Sequence, residues 1–304
     1  MLARPLRRGD TIGIVAPSDP VPPGHAQLLA GIRCLESLGF RVVLGQAVCA
    51  SSLGYAASPQ AKAGDLNAMF ADESVHAIIC AQGGATANSC LAYLDWNLIM
   101  RHPKIVLGIS DITVLLNAFY AHTGLVTFHG NDVMWGLGRT PTAYDLREFT
   151  DRLVEAKIGP VAASRPRQTI RGGEASGPLI GGHLGCLLNL AGTPYWPDLT
   201  GTVLFLEHFQ PAPARCDHEL HHLAQMGVFD KIAGVLVGWV DGMENQPVQL
   251  HDILLRITAD YRFPILKVRD FGHNCPNTTL PIGARVHLDA DRQSYEIVEP
   301  CLAP

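Results

Sequence analysis

The segment Gly108-Ile109-Ser110-Asp111-Ile112 places a serine where an apolar run ends and a helical pattern begins. Lys104–Leu107 reads as a buried strand. Ile112–His122 reads as the helix that follows, stopped by Gly124. A serine on such a strand–turn–helix joint is lifted clear of the sheet, and the N–H groups after it point from a helix N-terminus. This is the geometry of a nucleophile elbow, in which the N–H of the next residue, here Asp111, helps to bind an oxyanion. The pattern is G-x-S-D-I rather than G-x-S-x-G, and the same residues also suit plain helix capping by Ser110 or Asp111.

A second turn, Gln82-Gly83-Gly84-Ala85-Thr86, follows the apolar run His76–Cys80. Strand C-termini of an open α/β sheet gather on one edge, so this turn is expected beside Ser110. Paired glycines admit a close backbone approach, and a free N–H there could supply a second oxyanion donor. A tight turn needing positive φ is the plainer alternative. No G-x-G-x-x-G follows the first strand and no G-K-[ST] occurs, so neither nucleotide fingerprint applies.

A serine hydroxyl needs a base, and the base is usually oriented by a third group. Thirteen histidines are too many to choose among by counting. Glu207 stands at the end of apolar Val203–Leu206, and His273 follows Ile265–Val268 in Phe271-Gly272-His273-Asn274. A carboxylate and a histidine at strand ends suit a Ser–His–Glu relay, and each alone also suits a solvated loop. His218, His221 and His222 have helical spacing, but without H-E-x-x-H a polar helix face is expected and no metal is assigned.

The elements that would position these groups alternate through the first half. Thr11–Ala16 reads as a strand, His25–Leu38 as a helix and Arg41–Leu44 as a strand, with a helix opened by Ser58-Pro59. His76–Cys80, a helix near Asn88–Leu94, Lys104–Leu107, Ile112–His122 and Leu125–Phe128 complete the series. That alternation predicts an α/β layer with a mainly parallel sheet flanked by helices. Val203–Leu206, Ile232–Trp239, Ile265–Val268, Ala284–Leu288 and Ser294–Val298 read as strands around one clear helix, Asp217–Met226. A smaller β-rich domain is therefore expected over residues 171–304, joined through 146–170 to an α/β domain over 1–145.

The 304 residues are 47% hydrophobic and 17% charged, a globular balance rather than a disordered one. A net charge of −5 argues against sequence-independent nucleic-acid binding, which needs a basic excess. The longest apolar runs, such as Ile232–Val240, fall short of the about 20 residues that cross a bilayer. Arg4, Arg7 and Arg8 precede Gly9-Asp10 and only a short apolar run, unlike a secretory signal, so a cytoplasmic chain is expected. Eight scattered cysteines without a CxxC read mostly as buried free thiols.

In order and spacing, these segments resemble the LD-carboxypeptidase family, which includes muropeptide LD-carboxypeptidases and the microcin C immunity peptidases. The resemblance starts at Gly9-Asp10-Thr11-Ile12-Gly13-Ile14-Val15-Ala16-Pro17-Ser18 and runs through Gly83-Gly84, Pro103-Lys104, Gly108–Thr113 and Phe128-His129-Gly130. It continues over Gly177–Leu184, Leu204–Glu207, Gly234–Gly238, Phe271-Gly272-His273 and Leu280–Ala284. It implies a serine peptidase with Ser110 as nucleophile, His273 as base and Glu207 as orienting carboxylate. The implied oxyanion donors are the N–H groups of Asp111 and Gly84. No cofactor is implied, the active site falls between the domains, and the assembly is a homodimer.

Several positions depart from the family pattern. Gln82–Ser89 replaces an Arg-Gly-Gly-Tyr-Gly type of turn, and its Ala87-Asn88-Ser89, with Tyr93-Leu94-Asp95, is more like the immunity branch. His208 stands for the usual Asp after the glutamate, and His183 for the Asn of Gly-Gly-Asn. Arg171-Gly172-Gly173-Glu174 is short, as in the carboxypeptidases. The expected reaction is removal of a terminal D-amino acid from a muropeptide during cell-wall recycling, with Gly83 and Arg215 contacting substrate. Arg215 is the candidate cation for its carboxylate, or else an ordinary surface arginine. The alternative is cleavage of an aminoacyl-nucleotide analogue, with Trp135 or Trp196 as a shelf for the base. A non-catalytic ligand-binding protein would have no need of the three triad-type residues.

Overall fold

Thr11–Val15 is buried at every position, which suits a strand covered on both faces by helices. The computed structural model describes all 304 residues. In chain order the first half contains β1 (Thr11–Val15), α1 (Ala26–Ser37), β2 (Arg41–Leu44), α2 (Pro59–Ala71), β3 (Val75–Cys80), α3 (Trp96–Arg101), β4 (Ile105–Gly108), α4 (Thr113–Thr123), β5 (Thr127–His129) and α5 (Ala143–Leu153). There follow β6 (Gly159–Pro160), β7 (Gln168–Arg171), β8 (Glu174–His183), α6 (Leu184–Leu188), β9 (Val203–Phe209), α7 (Pro213–Gln225) and β10 (Gly234–Asp241). The chain closes with α8 (Leu250–Ile257), β11 (Ile265–Lys267), β12 (Leu280–Ile282), β13 (Arg285–Asp289) and β14 (Ser294–Ile297).

Local signals explain many boundaries. The Ser58 side chain accepts the Ala61 N–H ahead of Pro59, and Gly124 ends α4 in the left-handed conformation at φ 69°. The helix expected near Asn88–Leu94 is a 3-10 segment, Ala87–Tyr93, and α3 follows it within a few residues.

Six strands form the first sheet in the order β12-β5-β4-β3-β1-β2. All its pairs are parallel except β12 with β5, where Leu280 lies opposite His129 and Ile282 opposite Thr127. Its edge strand therefore comes from near the end of the chain. Eight strands form the second sheet, β6-β14-β13-β8-β9-β10-β11-β7, with β8 to β11 parallel. The fold is thus α/β, with a mainly parallel sheet flanked by helices and a strand-rich second sheet. One apolar cluster of 82 buried residues, from Ala3 to Leu302, joins the two. No helix is long and apolar enough to cross a membrane.

The ten-residue β8 does not read as a strand in the sequence, because Gly177, Pro178, Gly181 and Gly182 break the pattern. Those glycines instead serve close packing. A Cβ on Gly182 would meet Thr113 at 2.5 Å, so helix α4 sits directly against β8. Thr113 Oγ1 accepts the His183 N–H at 3.0 Å, and Asn117 Nδ2 donates to the Gly181 carbonyl at 2.9 Å. The helix that begins behind Ser110 is thereby locked to the strand beside β9.

Candidate active site

Ser110 follows β4 and opens a short 3-10 turn, Ser110–Ile112, that leads into α4. Its φ is +64°, a conformation that costs a residue with a Cβ about 1–2 kcal/mol. The structure thus holds a strained serine at a strand–turn–helix joint, and the Gly83–Gly84 turn comes up against it. A Cβ on Gly83 would lie 2.6 Å from Ser110 Cβ and 2.9 Å from Oγ, so only glycine permits this approach. Gly84 has φ +146°, and its N–H makes no hydrogen bond within the chain.

The Asp111 carboxylate has a role that its sequence position did not announce. Its Oδ2 accepts Ser18 Oγ at 2.5 Å and the Ala87 N–H at 2.8 Å, both buried. Ser18 lies beyond β1 and Ala87 beyond β3, so one carboxylate ties together the ends of three neighbouring strands. Lys62 Nζ reinforces the turn by donating to the Thr86 carbonyl at 2.7 Å.

Glu207 is fully buried in β9, in register with His183 on β8. Phe205, Glu207 and Phe209 share one face of the strand. His129 stacks edge-on against Phe205 at 5.2 Å, and Phe209 lies 4.9 Å from the His273 ring. Glu207 Oε2 bonds His273 Nδ1 at 2.6 Å, leaving Nε2 as the ring nitrogen for other work. The loop carrying His273 is pinned by Gly272 N–H to Asn277 Oδ1 at 2.9 Å and by Asn274 Nδ2 to Asp241 Oδ2 at 3.2 Å.

Burial alone would raise the Glu207 carboxyl, but the adjacent His273, with His183 and His129 behind it, holds it down at about 2. Burial pulls His273 the other way, and the Glu207 carboxylate outweighs it, so that imidazole is raised above its usual 6.5. His129 and His183 have no bonded carboxylate, and burial lowers each to about 4. A neutral histidine cluster therefore surrounds one carboxylate–imidazole pair. His183 and His208, two of the departures from the family pattern, have ring centres 4.3 Å apart with the rings tilted by 54°, and His208 Nε2 bonds Glu219 at 2.9 Å.

Ser110, Gly83, Gly84 and His273 line one cavity of about 570 Å³. No Ser110–His273 hydrogen bond is formed in this state; nucleophile–base contacts are often long until substrate closes around them. Asp19, Asp132, Trp135, Arg139 and Asn274 also line the cavity. Sequence reasoning passed over most of these, because they sit in loops without a motif. Asp132 is buried, and burial raises its carboxyl to about 6, although it accepts the N–H groups of Trp135 and Gly136.

Arg215 does not line the cavity; it pairs with Glu219 at 2.5 Å on α7, one helical turn away. Trp135 lines it, whereas Trp196 packs, half-buried, against the apolar core. His218, His221 and His222 lie on α7, outside the cavity. All eight cysteines are unpaired; Cys80, Cys90, Cys216 and Cys301 are buried, and Cys49 is exposed.

A family model described as the LD-carboxypeptidase N-terminal domain matches residues 12–130, and one for the C-terminal domain matches residues 176–288. The chain is 33% identical to a probable murein peptide carboxypeptidase of Bacillus subtilis, over 96% of this chain and 92% of that one. It is 27% identical to the microcin C7 self-immunity protein MccF of Escherichia coli, over 100% of this chain and 97% of that one. The solved structure of MccF in complex with aspartyl sulfamoyl adenosine aligns with a TM-score of 0.93 at 27% identity, covering 100% of each chain. With both domain models matched in order and a relative at 33% identity along nearly its whole length, this chain belongs to the LD-carboxypeptidase family.

Proposed function

We propose that the chain is a serine carboxypeptidase that releases a terminal D-amino acid from a muropeptide, with Ser110, His273 and Glu207 as its triad. The observation that carries this reading is one cavity bordered by a strained, elbow-held serine and by an imidazole bonded to a buried carboxylate. In this mechanism His273 Nε2 takes the Ser110 proton as Oγ attacks the scissile carbonyl. Glu207 holds the ring with Nδ1–H toward itself and stabilises the imidazolium. The N–H groups of Asp111 and Gly84 receive the oxyanion. His273 then gives its proton to the leaving amine as the C–N bond breaks, and an acyl-enzyme forms on Ser110. Water, deprotonated by His273, attacks the ester carbonyl and regenerates the serine.

In this reading residues 1–145 contribute the nucleophile and oxyanion turn, and residues 171–304 contribute the Glu207–His273 pair. The enzyme works in the cytoplasm as a homodimer, which light scattering would test. The decisive assay is release of D-alanine from a muropeptide tetrapeptide, wild type beside Ser110→Ala. Release by wild type alone supports the reading; equal release by both refutes it.

A second reading is favoured by one specific observation. MccF, with the same fold, has been solved with aspartyl sulfamoyl adenosine, and Trp135 here offers a 43%-exposed ring in the cavity. Cleavage of an aminoacyl-nucleotide would then replace muropeptide hydrolysis. Saturable binding of AMP-like ligands, with no D-alanine release, would select it. A protein that only binds ligand would fail to label at Ser110 with a serine-directed probe.

A further inference from the structure

A carboxypeptidase must recognise a free carboxylate at the end of its substrate, and the charges around the cavity are unevenly placed for that task. Asp19 and Asp132 both line it and would repel such a group. Arg139 is the one arginine or lysine among the lining residues. It forms no ion pair with any carboxylate of the chain. Its guanidinium lies 4.9 Å from the centre of the Trp135 ring, and Nη1 donates to Asn274 Oδ1 at 3.0 Å. Its remaining N–H donors are uncommitted.

The position matters as much as the charge. Asn274 directly follows His273, so Arg139 is tied to the loop that carries the imidazole and lines the same cavity. In an amino acid the carboxylate carbon is only two bonds from that nitrogen, of about 1.46 and 1.52 Å. The leaving group therefore carries its negative charge to the side where His273 acts. A guanidinium fork matches a carboxylate in two parallel hydrogen bonds, and stacking on an aromatic ring keeps that fork oriented before substrate arrives. Trp135 is itself fixed by its Nε1–H donating to Gln82 Oε1 at 2.9 Å.

We propose that Arg139, rather than Arg215, takes the terminal carboxylate of the leaving residue and so makes the enzyme select free peptide ends. The assignment rests on the serine carboxypeptidase reading above. Asn274 contributes as a positioning residue, holding the guanidinium beside His273.

The test compares a muropeptide tetrapeptide ending in D-alanine with the same peptide ending in D-alaninamide, on wild type, Arg139→Gln and Arg139→Lys. Arg139→Gln is expected to lose about 10- to 100-fold in kcat/KM on the free acid, mainly in KM, the range of a charge-assisted pair. On the amide it should change by no more than about threefold, so the two substrates converge. Arg139→Lys keeps the charge without the fork and should recover part of the loss. Serine-probe labelling of Ser110 at the wild-type rate in both variants shows an intact site. An equal loss on acid and amide would mean that Arg139 only supports the His273 loop, and overturns the assignment. No loss on either overturns it as well. Absence of D-alanine release by wild type would refute the carboxypeptidase reading and this assignment with it.

Discussion

Replacing Glu207 by Gln tests the triad through its electrostatics. The substitution keeps the side-chain shape in a fully buried site and removes one charge 2.6 Å from His273 Nδ1. With charge centres about 4 Å apart and an effective dielectric of about 20, the lost attraction is about 4 kcal/mol, or about a thousandfold in rate at the imidazolium-forming step. Gln also offers an N–H₂ group to Nδ1, which favours the wrong tautomer, so kcat should fall about 10³- to 10⁴-fold. The pH profile gives a sharper signature. His273 must be neutral to act as base, so the wild-type rate rises with pH through a pKa raised above 6.5. Without Glu207, burial dominates, as it already does for His129 and His183, both near 4. The rising limb of kcat/KM should therefore move to lower pH in Glu207→Gln. A loss smaller than about tenfold, or a limb that stays or moves upward, would refute the reasoning. Stability carries a matching sign. Glu207 is held at about 2 against an ordinary 4.5, so its contribution is present above pH 4.5 and is lost as pH falls toward 2. Urea titrations of the variant should show a flatter acid limb.

Substitutions at three further positions have defined outcomes. Ser110→Ala should lower kcat by about 10⁴- to 10⁶-fold, and Ser110→Gly should melt higher than Ser110→Ala, by about 1 kcal/mol, since only glycine relieves a φ of +64°; equal melting points would argue against strain at the elbow. Gly83→Ala puts a Cβ 2.6 Å from Ser110 Cβ and should cut kcat and serine-probe labelling by about 100-fold or more; labelling at the wild-type rate would show that the turn can yield. Asp270→Ala leaves Arg167, only 4% exposed at its side chain, without its 2.9 Å partner and should cost about 3–5 kcal/mol in urea denaturation; a loss under about 1 kcal/mol would show that the pair is not a stabilising contact.

The elbow was legible because its signals are local. A strand ends, a helix begins, and a serine stands between them within a few residues. Glu207 and His273 were legible as candidates beside apolar runs, although β9 runs on past Glu207 to Phe209, His273 sits in the loop after β11, and their 2.6 Å bond is a tertiary fact. What escaped has a physical cause in each case. β8 was missed because its glycines weaken the strand pattern while permitting the approach of α4 at Thr113. Arg215 drew attention by its closeness to β9 in sequence, yet the first turns of α7 direct it to Glu219. Arg139 carried no motif, and its relation to His273 arises only when a loop after β5 meets a loop after β11 at Asn274. The Asp111 side chain was overshadowed by its backbone, since nothing local says that its partners are Ser18 and Ala87.

The antiparallel pairing of β12 with β5 also orders events during synthesis. Thr127–His129 leaves the ribosome roughly 150 residues before Leu280–Ile282, which at about 5–20 residues per second is about 8–30 s. Through that interval the growing sheet presents a bare edge whose N–H and C=O groups can pair with any passing strand. Ser110 follows the strand next to that edge, and Glu207 and His273 are supplied by the later half. On the proposed mechanism, a nascent chain with its serine already folded would thus remain inert until β12 has emerged, because the strand that seals the sheet follows His273 by only a few residues. The strand that closes the first sheet and the proposed base thus come from one short stretch of chain.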